Sequence, residues 1–196
     1  MDGLKKFEMD ESDASITGSA HSLQAHSGLM PQASPDTIFQ RKPTGGKEPY
    51  TYKVGDPRIA HVDDQGLVTA LSAGQVRVTA SDATGQEKSY VLSIPNGYRY
   101  FSFGAGRLSN LQSDANRERV RLADINELRI LHQRFGYAWP LNDGQFWSTT
   151  GSADKPEPAP PYPIETGNNV YTKNMKTGVE QTNDTGHVFD SLGRNL

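Results

Sequence analysis

The chain contains no cysteine. That excludes a disulfide framework, a thiolate nucleophile and a cysteine-ligated zinc ribbon. Long apolar runs are also missing. None approaches the roughly 18 residues of a membrane helix, so no membrane insertion of this chain is expected. The first fifteen residues carry Lys5 and Lys6 with no apolar core behind them, which is not the pattern of a secretory signal. The chain is therefore expected to be part of a longer exported protein, to be exported by another route, or to stay in the cytoplasm. Basic residues are not in excess: 20 Lys and Arg face 23 Asp and Glu, for a net charge of −3. Without a basic stripe, nucleic acid is not an expected partner. No His-x-x-x-His pair and no Gly-x-Ser-x-Gly elbow occurs, and no segment repeats.

Turn formers are abundant. With 19 Gly and 12 Pro, the two together exceed a usual share of roughly 12%. Between Pro49 and Ile94, short runs alternate apolar and polar residues. Val76, Val78 and Ala80 alternate with Gln75, Arg77 and Thr79; Tyr90, Leu92 and Ile94 alternate with Val91 and Ser93. A period of two puts one set on a buried face. Gly55-Asp56-Pro57, Asp63-Asp64-Gln65-Gly66, Ala73-Gly74 and Ala83-Thr84-Gly85 punctuate the runs. Strands at this spacing predict an all-β sandwich. Residues 1–13 are polar and acidic and are expected to form a mobile tail. Pro95-Asn96-Gly97 is expected to end the sandwich, so 196 residues divide into two small domains.

The same stretch resembles a known family. Asp56-Pro57-x-Ile59-Ala60-x-Val62-Asp63, Gly66-Leu67-Val68-Thr69-Ala70, Ala73-Gly74, Val76-x-Val78-Thr79-Ala80 and Asp82-x-x-Gly85 resemble the bacterial immunoglobulin-like domain of group 2. Upstream, Gly45-Gly46-Lys47-Glu48-Pro49-Tyr50-Thr51-Tyr52 is similar to a variant of that family in surface proteins. The resemblance implies a sandwich over residues 14–95 that serves as a spacer or binding module without catalysis.

The second half reads differently. Arg121 to Gly136 predicts a helix: Asp124 is a good N-cap, Glu127 completes a capping box, and Ile125, Leu128, Leu131 and Phe135 recur at helical spacing. Gly136 is expected as the left-handed stop residue. Ser109 to Arg119 reads as a polar stretch. Tyr98–Phe103, Gln145–Thr150, Val170–Met175 and His187–Asp190 predict strands. Asp154 to Pro163 holds five prolines and is expected to be an extended surface loop.

Arg121-Leu122-x-x-Ile125-x-Glu127-Leu128, Phe135-Gly136, Trp139-Pro140, Phe146-Trp147-Ser148-Thr149-Thr150 and Tyr171-x-x-Asn174-Met175-x-Thr177-Gly178 resemble the C-type-lectin-like domain. The version is that at the tip of bacterial adhesins of the intimin/invasin kind, and it spans residues 98–196. Calcium-dependent sugar-binding members carry Glu-Pro-Asn and Trp-Asn-Asp. Here Glu157-Pro158 is followed by Ala159, and no Trp-Asn-Asp occurs.

Other chemistry has weaker signals. His21 and His26 lie five positions apart without further ligands, and Gly104-x-Gly106 lacks a third glycine and a βαβ setting, so a plain glycine turn is expected. Asp56, Asp63, Asp64 and Asp82 suit calcium, but Asp is also a favoured turn residue. Ser148, Thr149 and Thr150 have no evident base. Trp139 and Trp147 are expected in the core. No catalytic residue, cofactor or metal site is assigned.

The expected fold is mainly β: an immunoglobulin-like sandwich followed by a small α+β lectin-like domain. By the resemblance, the expected function is surface adhesion by a non-enzymatic, monomeric module at the cell surface or secreted. Its partner would be a protein or glycan on a host or neighbouring cell. The proline-rich loop is the expected contact surface, because stiff segments lose little entropy on binding. Glu157, Tyr162, Asn168 and Asn169 are its candidate contact residues. The rivals are a structural appendage of a phage tail or secretion machine, and a hydrolase whose carboxylates meet only in three dimensions.

Overall fold

The structure, a computed structural model, describes residues 5–24, 29–141, 144–151, 169–183 and 186–195. The chain divides into two compact units. Unit 1 takes residues 1–22 and 33–98; unit 2 takes residues 23–32 and 99–196.

Unit 1 is a two-sheet sandwich. One sheet has the order β1 (Ala14–Ser15), β8 (Glu87–Ile94), β7 (Gly74–Ser81), β4 (Thr51–Val54); the other has β3 (Ile38–Gln40), β6 (Leu67–Ala70), β5 (Ala60–Val62). The expected alternation is realised. Val76, Val78, Ala80, Tyr90, Leu92 and Ile94 are buried, and all but Ala80 meet Ile16, Ala60, Val68 and Ala70 in one core. Between Tyr50 and Ile94 there is no helix. The turns do what their residues favour. Asp63 accepts from the amides of Gln65 (2.8 Å) and Leu67 (2.8 Å). Gly66 closes that turn at φ 74°, where a Cβ would lie 2.7 Å from the Tyr52 ring.

Residues 5–13 do not form a loose tail. Phe7 is 2% exposed and packs 5.8 Å from the Tyr50 ring. Glu8 and Thr44 exchange backbone hydrogen bonds of 2.9 and 2.8 Å. The Arg41 guanidinium donates to the carbonyls of Asp10 (2.9 Å) and Ser12 (2.6 Å), and lies 4.6 Å from the Tyr90 ring centroid. Lys88 pairs with Glu11 at 2.6 Å. Low hydrophobicity argued for disorder, but one buried aromatic and one stacked arginine outweigh it.

Unit 2 is built on a sheet with the order β13 (Glu180–Asn183), β12 (Val170–Asn174), β11 (Gln145–Gly151), β14 (Phe189–Asn195), β9 (Asn96–Gly106), β2 (Ser19–Leu23). Strand β9 (Asn96–Gly106) carries the chain out of unit 1, and β10 (Val120–Leu122) pairs with β14. Two helices accompany the sheet, α1 (Leu108–Glu118) and α2 (Ile125–Phe135). Helix α1 stands where a polar stretch was expected. It buries only Leu108, Leu111 and Ala115, a one-residue-wide apolar stripe at i, i+3 and i+7. Helix α2 starts at Ile125 rather than Arg121, because Arg121 and Leu122 pair with Arg194 and Gly193 in the sheet. Gly136 is right-handed (φ −56°) and leads into a single 3-10 turn, Gly136–Ala138, so the helix does not end in a left-handed glycine. Gly104 and Gly106 lie inside β9 and do not make a turn; β9 shifts register against β14 between Ser191 and Leu192. Among the described residues, no helix is long and apolar enough to cross a membrane.

Candidate recognition face

Strands β11 and β12 hold the ends of the segment expected to make contact. Gln145, Phe146 and Trp147 oppose Asn174, Lys173 and Thr172, and the register then shifts before Gly151 meets Val170. Gly151 and Val170, the paired strand ends that flank residues 152–168, make a stem. Glu157, Tyr162 and Asn168 lie outside the described residues, as does the proline-rich loop that carries the first two. Asn169 is described and stands half-buried immediately before buried Val170.

The stem is fixed from below by aromatic packing. Trp147 is 1% exposed, donates its indole N–H to the Gly106 carbonyl at 2.8 Å, and meets Phe189 edge-on at 4.9 Å. Phe146 meets Trp139 in a T-shaped pair at 5.6 Å. Both tryptophans are buried, as their strand and turn contexts predicted. The hydroxyls beside them serve the backbone. Ser148 Oγ accepts from the Thr150 amide (3.0 Å), and Thr150 Oγ1 accepts from the Ile125 amide (3.1 Å) in the first turn of α2.

Helix α2 has the capping box that its sequence predicts. Asp124 Oδ1 accepts from the Glu127 amide (2.9 Å), and Glu127 Oε2 accepts from the Asp124 amide (3.0 Å). The Glu127 carboxylate has a second role that the sequence did not reveal. It is 8% exposed, and its Oε1 receives Tyr100 Oη–H (2.9 Å), Arg194 Nε–H (2.9 Å) and the Arg121 guanidinium. One residue thus ties α2 to β9, β10 and β14. Burial, followed by the adjacent Glu127 carboxylate, holds the Tyr100 phenol well above its ordinary range.

The β12–β13 hairpin is joined to α2 by charge and shape. Arg129 grips Glu180 with two bonds (2.9 and 2.7 Å), and the Lys173 ammonium, 5% exposed, donates to Glu180 (2.9 Å) and to the Gly178 carbonyl (2.9 Å). The Arg129 bond, with help from Lys173, lowers the Glu180 carboxyl to about 2 against its burial. His132 Nδ1 donates to the Met175 carbonyl at 2.7 Å. A Cβ at Gly136 or Gly178 would come within 2.5 or 2.6 Å of that ring, so both glycines make room for it.

Asp56, Asp82 and His21 have structural partners. Asp56 is paired with Arg58 at 2.8 Å. Asp82 is raised by burial, but the Thr84 hydroxyl and the amides of Lys47, Gln86 and Thr84 outweigh this and hold it at about 2. His21 is buried beside the Tyr98 ring, and His26 lies outside the described residues. Among the described residues, no three His, Asp or Glu side chains gather as a metal site would require.

Sequence reasoning missed α1, β10 and β13, and with them the Arg129–Glu180–Lys173 group. The signal for α1 was present in Leu108, Leu111 and Ala115. Strand β13, Glu180-Gln181-Thr182-Asn183, is polar throughout and carries none.

Residues 36–84 match the family model of the intimin immunoglobulin-like domain. A crystal structure of a mutant intimin from EHEC O157:H7 superposes with a TM-score of 0.51 at 16% identity, covering 97% of this chain and 100% of that one. The fold is that of intimin. Two intimin complexes align less closely. The intimin–Tir90 complex gives a TM-score of 0.48 at 18% identity, over 79% of this chain and 82% of that one. A 282-residue C-terminal intimin fragment bound to the intimin-binding domain of the translocated intimin receptor gives 0.49 at 17% identity, over 79% and 56%. No curated protein matches the sequence. As in intimin, an immunoglobulin-like sandwich is followed by a lectin-like unit, and the stem described above belongs to the lectin-like unit.

Proposed function

We propose that this chain is a surface-adhesion module that recognises a protein on a host cell. The sandwich unit, residues 1–22 and 33–98 rather than the expected 14–95, acts as the spacer, and the lectin-like unit, residues 23–32 and 99–196 rather than 98–196, carries the contact. The observation behind this reading is the likeness to intimin over 97% of the chain, together with the intimin-type immunoglobulin match at 36–84. Intimin itself has been solved in complex with the translocated intimin receptor. The contact is made by the 152–168 segment and its stem, with Glu157, Tyr162, Asn168 and Asn169 touching the partner. A well-packed stem supports this role, because loops held by a rigid frame lose less entropy on docking. The module acts as a monomer at the bacterial surface and needs no metal.

Binding of the labelled full chain to host cells tests this. Saturable binding is expected, abolished by protease treatment of the cells, retained after glycosidase treatment and indifferent to EDTA. Tyr162→Ala should weaken it at least tenfold if that ring is an anchor, since central aromatic anchors carry about 2 kcal/mol or more. Loss only with glycosidase would make the partner a glycan. No saturable binding to host or neighbouring cells refutes the proposal.

A further inference from the structure

The two units do not follow one another along the chain. Residues 23–32 belong to unit 2, although unit 1 resumes at residue 33. Leu23 is 3% exposed. The Gln32 amide donates to the Arg134 carbonyl (2.8 Å), Arg134 donates to the Gln32 carbonyl (2.9 Å), and Tyr137 Oη–H donates to the Met30 carbonyl (2.9 Å). The chain thus crosses between units three times, after residues 22, 32 and 98.

This connectivity decides which part of the molecule carries load. Pull on the N-terminus while unit 2 is held. The covalent path to unit 2 is residues 5–22 and nothing more. The sandwich body, residues 33–98, has both of its ends in unit 2 and forms a closed loop outside that path. We propose that residues 5–22 are a mechanical clasp that yields first under tension between the N-terminus and the recognition unit, and that once open it leaves the sandwich body outside the loaded path. The idea rests on the spacer-and-tip reading above, in which such tension arises.

The clasp is built for shear. Strands β1 and β8 run parallel, with Ala14 opposite Leu92 and Ser15 opposite Ser93. Tension draws β1 toward its N-terminal end, while β8 is retained through its C-terminal end. Their bonds, with the Ile16 amide to the Ser93 carbonyl (2.9 Å), are therefore loaded together and cannot open one at a time. Buried Phe7 and the Arg41 guanidinium hold the segment ahead of β1. If the clasp opens, residues 5–22 release at most about 60 Å of new length, at 3.3–3.6 Å per residue. Opening the sandwich body to load would release on the order of 220 Å by the same measure.

Single-molecule pulling distinguishes the two. The full chain lacks cysteine, so one handle goes at the N-terminus and a second on exposed α1 through Gln112→Cys. The first rupture should lengthen the tether by about 60 Å or less. Arg41→Ala should leave that length unchanged and shorten the clasp's lifetime at fixed load by roughly tenfold or more, since it removes charged hydrogen bonds. A first rupture on the order of 220 Å, no short event before it, or an unchanged lifetime in Arg41→Ala would overturn the proposal. The measurement involves no partner, so its failure would leave the adhesion reading standing, and loss of cell binding would leave the clasp standing.

Discussion

Glu127 should be the most sensitive single residue of unit 2. Its carboxylate is 8% exposed and accepts from Tyr100, Arg194, Arg121 and the Asp124 amide. Glu127→Ala removes the acceptor and leaves two guanidinium groups and a phenol facing one another. Breaking a buried ion pair from one side costs about 3–5 kcal/mol. The Arg121 and Arg194 side chains keep 35% and 20% exposure, so water partly replaces the lost partner and the lower end applies. Losing half of the capping box adds about 1 kcal/mol. The expected total is about 4 kcal/mol. Glu127→Gln keeps an acceptor and should cost about half as much, and Tyr100→Phe about 1 kcal/mol. The assay is urea unfolding followed by tryptophan fluorescence, because Trp139 and Trp147 are the chain's two tryptophans and both lie in unit 2. If Glu127→Ala moves the tryptophan-detected stability by less than about 1 kcal/mol, the cluster does not hold the unit together and the reasoning is wrong.

Acid should loosen the β12–β13 hairpin in a defined window. Glu180 falls from 4.5 to about 2 on folding, so its contribution is complete above pH 4.5 and is lost as pH falls toward 2. Glu180→Gln should flatten that part of the acid-unfolding curve; an unchanged curve would count against the Arg129–Glu180–Lys173 group. A fragment starting at Arg99 should be less stable than the same unit in the full chain by about 3–5 kcal/mol, because it lacks buried Leu23 and three hydrogen bonds from Met30 and Gln32. Equal tryptophan-detected urea midpoints for the fragment and the full chain would show that residues 23–32 contribute nothing to unit 2.

Alternation and turn residues made the sandwich legible. Val76, Val78 and Ala80 needed only a period of two to declare a buried face, and Asp63 with Gly66 needed only local geometry. The α2 capping box was legible for the same reason, since all of its partners lie within three residues. The candidate contact segment was legible only as composition. Its prolines and Tyr162 stood out, whereas the stem beneath depends on Trp147 reaching Gly106, 41 residues away.

By itself, then, the sequence determined whatever depends on neighbours along the chain: strand period, turns, the α2 cap and the mainly β class. Tertiary structure alone decided that Phe7 is anchored rather than free, that Glu127 joins three strands to a helix, and that residues 23–32 pack with unit 2. The physical reason is range. Local patterns are set by backbone sterics and hydrogen bonds a few residues apart, while burial of a single aromatic or carboxylate depends on partners that only the folded chain brings together.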